Sequence, residues 1–319
     1  MYLEELNMVN TNLNFTIVLP VGCNADCSFC SWKTVGQEDI KRSKDFLKNL
    51  KNVLEKLPEE FEQITISGGE PTLYKELNKV LMLIGYHKGD KIKKVVFTTN
   101  GVELRKWINN DLFTEVVDFV NIIRHHYNQK ENDKIMNCLT PSWDDIRDFS
   151  ENLGDYGIPV NINCVIPDID RSIMIDFFSS FVNKSRECYV NSITFRKDYA
   201  QGFGMSELEQ IISKKKKVVQ ISEYPVCMKN KYVEKGMDIY FTTSEEEPKD
   251  VPGSAIYEFI LQPNGDLTID WEGKEVVSLE KPSTEIRKME PIGKTYNPDP
   301  IIEYKYKFGG CGNFSGCGV

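Results

Sequence analysis

Three cysteines fall within eight residues in the run Cys23-Asn-Ala-Asp-Cys27-Ser-Phe-Cys30. Three and two intervening residues let one loop wrap three thiolates around a small metal centre, and sulfur ligands favour zinc or an iron–sulfur cluster. A structural zinc takes four protein ligands, and no fourth cysteine or histidine stands nearby in the chain. A four-iron cluster held by three cysteines instead leaves one iron open to another molecule. The run follows directly on Phe15–Pro20, an apolar segment that reads as a strand. A loop at a strand end is a poor place for three incidental buried thiols.

A second run with chemical meaning is Ser67-Gly68-Gly69-Glu70-Pro71, at the end of the β-rich segment Gln63–Ser67. Adjacent glycines let the main chain approach a ligand closely. Polar residues end the other β-rich segments too: Thr98-Thr99-Asn100-Gly101, Arg124-His125-His126, Asn161 and Asn163 ahead of Ile166-Pro167, and Phe195-Arg196. Two of the chain's three histidines stand together in this set, beside an arginine, which makes His125 and His126 candidate catalytic residues. The planar fork of arginine suits a carboxylate. The alternative for Arg124 and Arg196 is a surface ion pair. Cys227, Cys311 and Cys317 lie in the C-terminal third, the last two among glycines that permit tight turns. Cys138, Cys164 and Cys188 read as ordinary buried thiols.

The elements that must position these residues are legible as an alternation. Strand-like runs at Phe15–Pro20, Gln63–Ser67, Lys94–Thr99, Phe119–Arg124, Val160–Ile166 and Ser192–Arg196 are separated by amphipathic helical patterns, as in repeated βα units. One helix carries Ile40, Phe46, Leu47, Leu50, Val53, Leu54 and Leu57 and stops at Pro58. Another carries Leu77, Val80, Leu81 and Ile84, with Gly85 as its expected C-terminal cap. A third begins after Ser142 as N-cap and ends before Gly157. Such units predict parallel strands, in an open sheet or a barrel, with function at their C-terminal ends. From about residue 200 the rhythm changes to a Lys-rich helix (Ser206–Val219), a strand (Asp238–Thr242), a charged loop (Glu245–Gly253) and a hairpin. The hairpin joins Ala255–Leu261 to Leu267–Trp271 through Asn264-Gly265.

The chain has 319 residues, 40% of them hydrophobic and 27% charged, enough for a substantial core. Its formal charge of −9, from 39 Lys and Arg against 48 Asp and Glu, argues against a nucleic-acid binder. The Lys214–Lys217 run reads as a solvated helix face. No apolar run reaches the roughly 18–20 residues of a membrane span, and the acidic start MYLEELNMVN has no secretory character. A soluble, cytoplasmic protein without a membrane partner is expected. Nine cysteines are too few and too uneven for a disulfide scaffold.

The cysteine run, with Phe29 just before its last cysteine, resembles the signature of the radical S-adenosylmethionine (radical SAM) enzymes, and Gly68-Gly69-Glu70-Pro71 resembles their GGEP motif. The resemblance covers about residues 14–200. It implies an α/β fold, a partial (β/α)6 TIM-like barrel, over residues 1–200, and a small C-terminal α+β extension over 201–319. It implies a 4Fe–4S cluster on Cys23, Cys27 and Cys30 and S-adenosyl-L-methionine on its open iron. It further implies cofactor contacts from Phe29, Ser67, Gly68, Gly69, Glu70, Pro71, Asn100, Arg124, Asn163, Ile166 and Arg196, and an electron donor such as flavodoxin or ferredoxin. Relatives with SPASM or twitch extensions hold a second cluster beyond the barrel, a role that Cys227, Cys311 and Cys317 could fill. Asp270 stands where such extensions place a cysteine, and free thiols donating a hydrogen atom are the alternative. The expected reaction is hydrogen abstraction by a 5′-deoxyadenosyl radical, first on a ribosomal peptide that is cross-linked or epimerised. The alternatives are a small molecule such as a nucleotide or sugar, and a non-catalytic electron carrier.

Overall fold

The computed structural model describes residues 9–10, 14–30, 33, 41–56, 61, 63–167, 169–196, 208, 219–220, 228–234, 236–243, 255–256 and 258–277. Cys227, Cys311, Cys317, the loop Glu245–Gly253 and nearly all of the Ser206–Val219 segment lie outside the described residues.

Six strands follow one another in space as in sequence: β1 (Asn14–Leu19), β2 (Gln63–Gly68), β3 (Val95–Thr99), β4 (Phe119–Ile123), β5 (Val160–Val165) and β6 (Ser192–Arg196). Every neighbouring pair is parallel, which the intervening helices require, since only a crossover can join parallel strands. These helices are α1 (Phe46–Lys56), α2 (Leu77–His87), α3 (Asp111–Val116), α4 (Gln129–Met136), α5 (Trp143–Asp155) and α6 (Met174–Glu187). This α/β arrangement is the partial barrel expected. Later strands extend the same sheet at both edges: β7 (Val219–Gln220), β8 (Met228–Glu234), β9 (Met237–Thr243), β10 (Phe259–Leu261) and β11 (Leu267–Thr268). β9 runs parallel to β6, and β10 runs parallel to β1.

The two faces of the sheet differ in chemistry. Phe15, Ile17 and Leu19 of β1 belong to one continuous core with Phe46, Leu50 and Leu54 of α1, and Ile64, Ile66, Val120, Ile122, Ile162, Ile193 and Phe195 join them. The alternate residues are largely polar and still buried: Asn14, Thr16, Gln63, Thr65, Asn121, Asn161, Asn163, Ser192 and Thr194. Period-two alternation therefore places an apolar face under the helices and a polar face inside the barrel.

Several local expectations change: α1 starts at Phe46, not near Ile40, and the strand read over Ala255–Leu261 is split, Ala255–Ile256 pairing with Val9–Asn10 in a separate sheet and Phe259–Leu261 joining the main one. Gly85 lies inside α2, which continues to His87, because a side chain there would stand 2.9 Å from Cγ2 of Val116 in α3; glycine serves helix–helix contact, not capping. The second hairpin strand ends at Thr268, short of Trp271, because Asp270 turns the chain. Its carboxylate accepts from the amides of Lys274 (3.1 Å) and Glu275 (2.5 Å). Asn264-Gly265 makes the expected tight turn, with Gly265 at φ +85° and its carbonyl accepting from Asn49 of α1 at 3.2 Å. Among the described residues no helix is long and apolar enough to cross a membrane.

Ser142 caps α5 as expected, in a reciprocal box with Asp145: its hydroxyl accepts from Asp145 N at 3.1 Å, and its own amide donates to Asp145 Oδ2 at 2.9 Å. Ser142→Ala should lower stability by about 1 kcal/mol, read as a shift in urea midpoint at unchanged slope.

Candidate active site

The cysteine loop leaves β1 at the C-terminal end of the sheet and is pinned by backbone bonds to two other elements. Glu70 N donates to Gly22 O at 3.0 Å, and Asp26 N donates to Met136 O at 2.8 Å. Lys33 pairs with Asp26. The paired glycines explain the first contact. A Cβ on Gly69 would sit 2.5–2.6 Å from the backbone of Gly22 and Val21, and one on Gly68 (φ +137°) would meet the Leu19 backbone at 2.9 Å. The close approach they permit here is between β2 and the cysteine loop itself.

Glu70 is 1% exposed and its carboxylate accepts four hydrogen bonds. Oε1 takes those of Thr72 Oγ1 (2.6 Å), Thr72 N (3.1 Å) and Thr99 Oγ1 (2.6 Å); Oε2 takes that of Asn100 N (2.7 Å). Burial raises its pKa, and the four bonds oppose the rise. Through this carboxylate the end of β2 is locked to the end of β3. Asn100 carries the link onward, donating to Asn24 Oδ1 at 2.6 Å and to Cys23 Sγ at 3.7 Å. Pro71 opens a single 3-10 turn for which Glu70 is the N-cap.

The thiols repel one another as anions. Burial pushes Cys27 up to about 12, with Cys30, Cys23 and Cys138 adding to the rise. Burial raises Cys23 as well, while the Ala25 amide, 3.3 Å from its sulfur, acts the other way. Among the described residues no three His, Cys, Asp or Glu side chains gather closely enough for one metal ion. A cubane spreads its thiolates more widely than a single zinc does. Three thiols on one loop, with no fourth protein ligand gathered among the described residues and with N–H groups aimed at sulfur, fit a four-iron cluster. Cys164 and Cys188 are buried as expected, whereas Cys138 is only half-buried and stands within electrostatic reach of Cys23, Cys27 and Glu70.

The end of β4 is built differently. His125 is 2% exposed, its Nδ1 accepts from Val165 N at 3.1 Å, and burial pushes its pKa down to about 3. It is a neutral imidazole, poorly suited to proton transfer near pH 7, and its ring takes an edge contact from Phe29 at 4.7 Å. Asn132 of α4, fully buried, accepts from the amides of both His125 (2.7 Å) and His126 (3.1 Å). His126 packs against Tyr127 and Phe177, with Nδ1 accepting from Asn128 N at 2.9 Å. Arg124 is buried with its guanidinium bound to Pro141 O (2.8 Å) and Gln129 Oε1 (3.0 Å) and lying 4.4 Å over the Trp143 ring; burial lowers its pKa to about 10. These contacts fasten β4 to the α4–α5 connection.

Asn163 lies in a polar ladder inside the barrel. Asn121 donates to Thr98 (3.3 Å), Asn161 to Asn121 (3.0 Å) and Asn163 (2.8 Å), and Ser192 to Asn161 (2.8 Å). Ile166 packs in the main core, and its amide donates to Arg196 O at 3.0 Å. The structure therefore brings Cys23, Cys27, Cys30, Ser67–Pro71, Asn100 and, through Phe29, His125 together, and it turns Arg124 towards a helix connection. Sequence reasoning missed Thr72 and Asn132, quoted Thr99 only as part of a strand-end run, and read Cys138 as an ordinary buried thiol. For Asn132 a signal existed, since it precedes buried Met136 by one helical turn and so occupies the inward stripe of a polar helix.

A family model described as the Radical SAM superfamily matches residues 17–178. The GTP 3′,8-cyclase of Aliarcobacter butzleri is 27% identical over 208 residues, 60% of each chain. The probable GTP 3′,8-cyclase of Methanococcus vannielii is 32% identical over 119 residues, 37% of this chain and 38% of that one. The chain thus matches at most about 60% of the length of these relatives. In fold it is similar to Streptococcus suis SuiB bound to the precursor peptide SuiA, with a TM-score of 0.61 at 15% identity over 88% of this chain and 65% of that one.

Glu70→Gln puts an amide NH2 against donors that now meet a carboxylate, leaving at least one buried N–H or O–H unpaired. The expected loss is roughly 1–3 kcal/mol in urea unfolding, together with lower iron uptake on anaerobic reconstitution.

Proposed function

The chain belongs to the radical SAM superfamily, and from that membership we propose that it is an enzyme acting on a small polar molecule, a nucleotide or nucleoside, by hydrogen abstraction. The observation that carries the initiating half of this reading is the three-thiol loop fastened through Gly22, Glu70 and Asn100 to the ends of β2 and β3. The family brings a 4Fe–4S cluster and S-adenosylmethionine. When bound, they supply the one-electron cleavage that yields methionine and the 5′-deoxyadenosyl radical.

The residues of this chain aim and enclose that chemistry. Cys23, Cys27 and Cys30 hold the cluster, and the backbone of Ser67–Pro71 lies beside them to take the methionine portion. Asn100 orients Cys23. Phe29 and His125 are positioning residues: the neutral imidazole props the aromatic ring that precedes Cys30. Arg124 holds the β4 end in shape. Arg196 and Asn163, on the polar face, are proposed as contacts to cofactor or substrate beside the interactions they already make. Cys227, Cys311 and Cys317 are proposed as ligands of a second cluster, and flavodoxin or ferredoxin as the electron donor.

A small polar substrate is favoured by the barrel lining, where amides and hydroxyls replace the apolar layers of a filled barrel. The named activity of the two sequence relatives, both cyclases of a nucleotide, supports the same class. Ribosomal peptides are the competing substrates.

The experiment is anaerobic reconstitution, reduction with dithionite and chromatographic detection of 5′-deoxyadenosine from S-adenosylmethionine. Wild type should form it and Cys27→Ala should form none; cleavage retained in Cys27→Ala would overturn the cluster assignment. Adding GTP, other nucleoside triphosphates or short cysteine-rich peptides then separates the substrate classes by which of them accelerates 5′-deoxyadenosine formation.

A further inference from the structure

The chain is acidic as a whole, yet residues 41–51 carry Lys41, Arg42, Lys44, Lys48 and Lys51 against the single carboxylate of Asp45. Lys51 pairs with Glu55 at 3.6 Å. Lys41, Arg42, Lys44 and Lys48 are exposed and meet no ion-pair partner among the described residues. Their placement runs against helix stability. α1 begins at Phe46 with no acid in its first turn, and Lys48 lies within that turn. The helix dipole favours anions there, not cations. A local choice that works against the fold calls for a reason outside it.

Two contacts set where this basic segment sits. Ser43 N donates to Pro263 O at 3.0 Å, and Asn49 Nδ2 donates to Gly265 O at 3.2 Å. The segment thus lies on the turn that follows β10, and β10 runs parallel to β1. That turn is at the end of the sheet from which the cysteine loop departs. Arg42 reaches the loop itself: a Cβ on Gly22 would stand 3.5 Å from its Nη2. Cys23 is the next residue, so the guanidinium lies within roughly 12 Å of its sulfur, one Cα step of ~3.8 Å included. Cys30 packs against Val18 and Ile260 on the same edge of the barrel. Two other neighbours of the loop carry no such excess of cations. α4, which touches the loop through Met136 O, has Lys130 and Lys134 against Glu131 and Asp133. Residues 266–275, which include Trp271 beside Cys30, have Lys274 against Asp266, Asp270, Glu272 and Glu275.

The one-electron cleavage proposed above consumes an electron that a carrier must bring. Electron transfer falls off steeply with distance, so the carrier has to come close to the thiols. We propose that Lys41, Arg42, Lys44 and Lys48 form the docking surface for an acidic one-electron carrier protein, with a flavodoxin as the probe. The inference rests on the radical SAM reading above and adds the partner's place and charge to it. In the step served, the carrier's flavin hydroquinone anion gives one electron and becomes the neutral flavin radical. The cluster passes from its 2+ to its 1+ state, and no proton moves between the partners. Complementary charge steers encounter and fixes orientation. These side chains end in solvent, where salt screens over ~8 Å at physiological ionic strength, so docking here is salt-dependent. α1 packs on the helix-facing side of the sheet. A carrier seated on it therefore leaves the barrel interior to S-adenosylmethionine and substrate.

The test is calorimetric titration of an acidic flavodoxin into the anaerobically reconstituted full chain at low and high salt, about 50 and about 300 mM. Wild type should bind at least about tenfold more tightly at low salt. Lys44→Glu combined with Lys48→Glu should weaken low-salt binding at least about tenfold and slow flavodoxin-driven 5′-deoxyadenosine formation to match. Lys130→Glu combined with Lys134→Glu makes the same change of net charge on α4 and should stay within about twofold of wild type. Cleavage driven by dithionite, which needs no docking, should be equal in all three proteins. The Lys44/Lys48 variant places acids near a helix start, where they favour the helix, so it should fold. Binding without salt dependence, a Lys44/Lys48 variant that binds like wild type, or an equal loss in the α4 variant overturns the proposal. So does loss of dithionite-driven cleavage in the Lys44/Lys48 variant alone, which would make these lysines structural. If wild type cleaves S-adenosylmethionine with dithionite and binds no flavodoxin, the docking surface fails and the radical SAM reading stands. If it cleaves none with dithionite, the radical SAM reading fails and takes the docking surface with it.

Discussion

The structure around the cysteine loop depends on one buried carboxylate. Glu70 sits where the ends of β2 and β3 and the start of the loop converge, and it is held as an acceptor by four donors. A carboxylate without such partners would be expensive to bury; with them it becomes a rigid joint, because charge-assisted hydrogen bonds are short and directional. Asn100 passes that rigidity to Cys23 and Asn24, and Glu70's own amide passes it to Gly22. The thiols are therefore presented by a loop whose shape is set by the sheet beneath it.

A second constraint is the division of the sheet into two chemistries. The helix-facing side is filled by aliphatic and aromatic side chains, and its burial supplies the stability of the fold. The inner side keeps amides and hydroxyls, some tied into the Thr98–Asn121–Asn161–Ser192 ladder and others left with open atoms. Polar side chains in this number would weaken a barrel meant only to be packed. Strands β9 and β10 flank the six βα units at both edges, and the residue just before β10, Glu258, brings a second buried carboxyl, which accepts from the Thr16 hydroxyl of β1.

The β4 end illustrates how polar residues near a site can be structural. His125 and Arg124 stand where a strand-end reading expects catalytic or binding groups. Burial keeps the imidazole neutral, Val165 and Asn132 fix its surroundings, and the guanidinium is held by Pro141 and Gln129 through its two Nη atoms and lies over Trp143. Their service to the site is geometric, through the contact of His125 with Phe29.

Local pattern was sufficient for the elements and for the cluster loop. Period-two alternation located the six strands to within a residue, whereas the period-3.6 pattern found only the longer helices, missing α3 and α4 and starting the first at Ile40 instead of Phe46; Ser142 announced the start of α5, and the spacing of Cys23, Cys27 and Cys30 carried its own chemistry. These features are contained within a few consecutive residues, so they are visible without a fold. Tertiary structure decided everything that joins residues distant in sequence. It set Gly69 against Gly22, Gly85 against Val116, Thr99 and Asn100 on Glu70, Cys138 beside the loop, and Glu258 level with Asn14 more than two hundred residues away. A glycine or a glutamate looks the same in sequence whether it faces solvent, ligand or another strand. What separates these cases is burial and the number of partners within hydrogen-bond reach, and only the folded chain sets those.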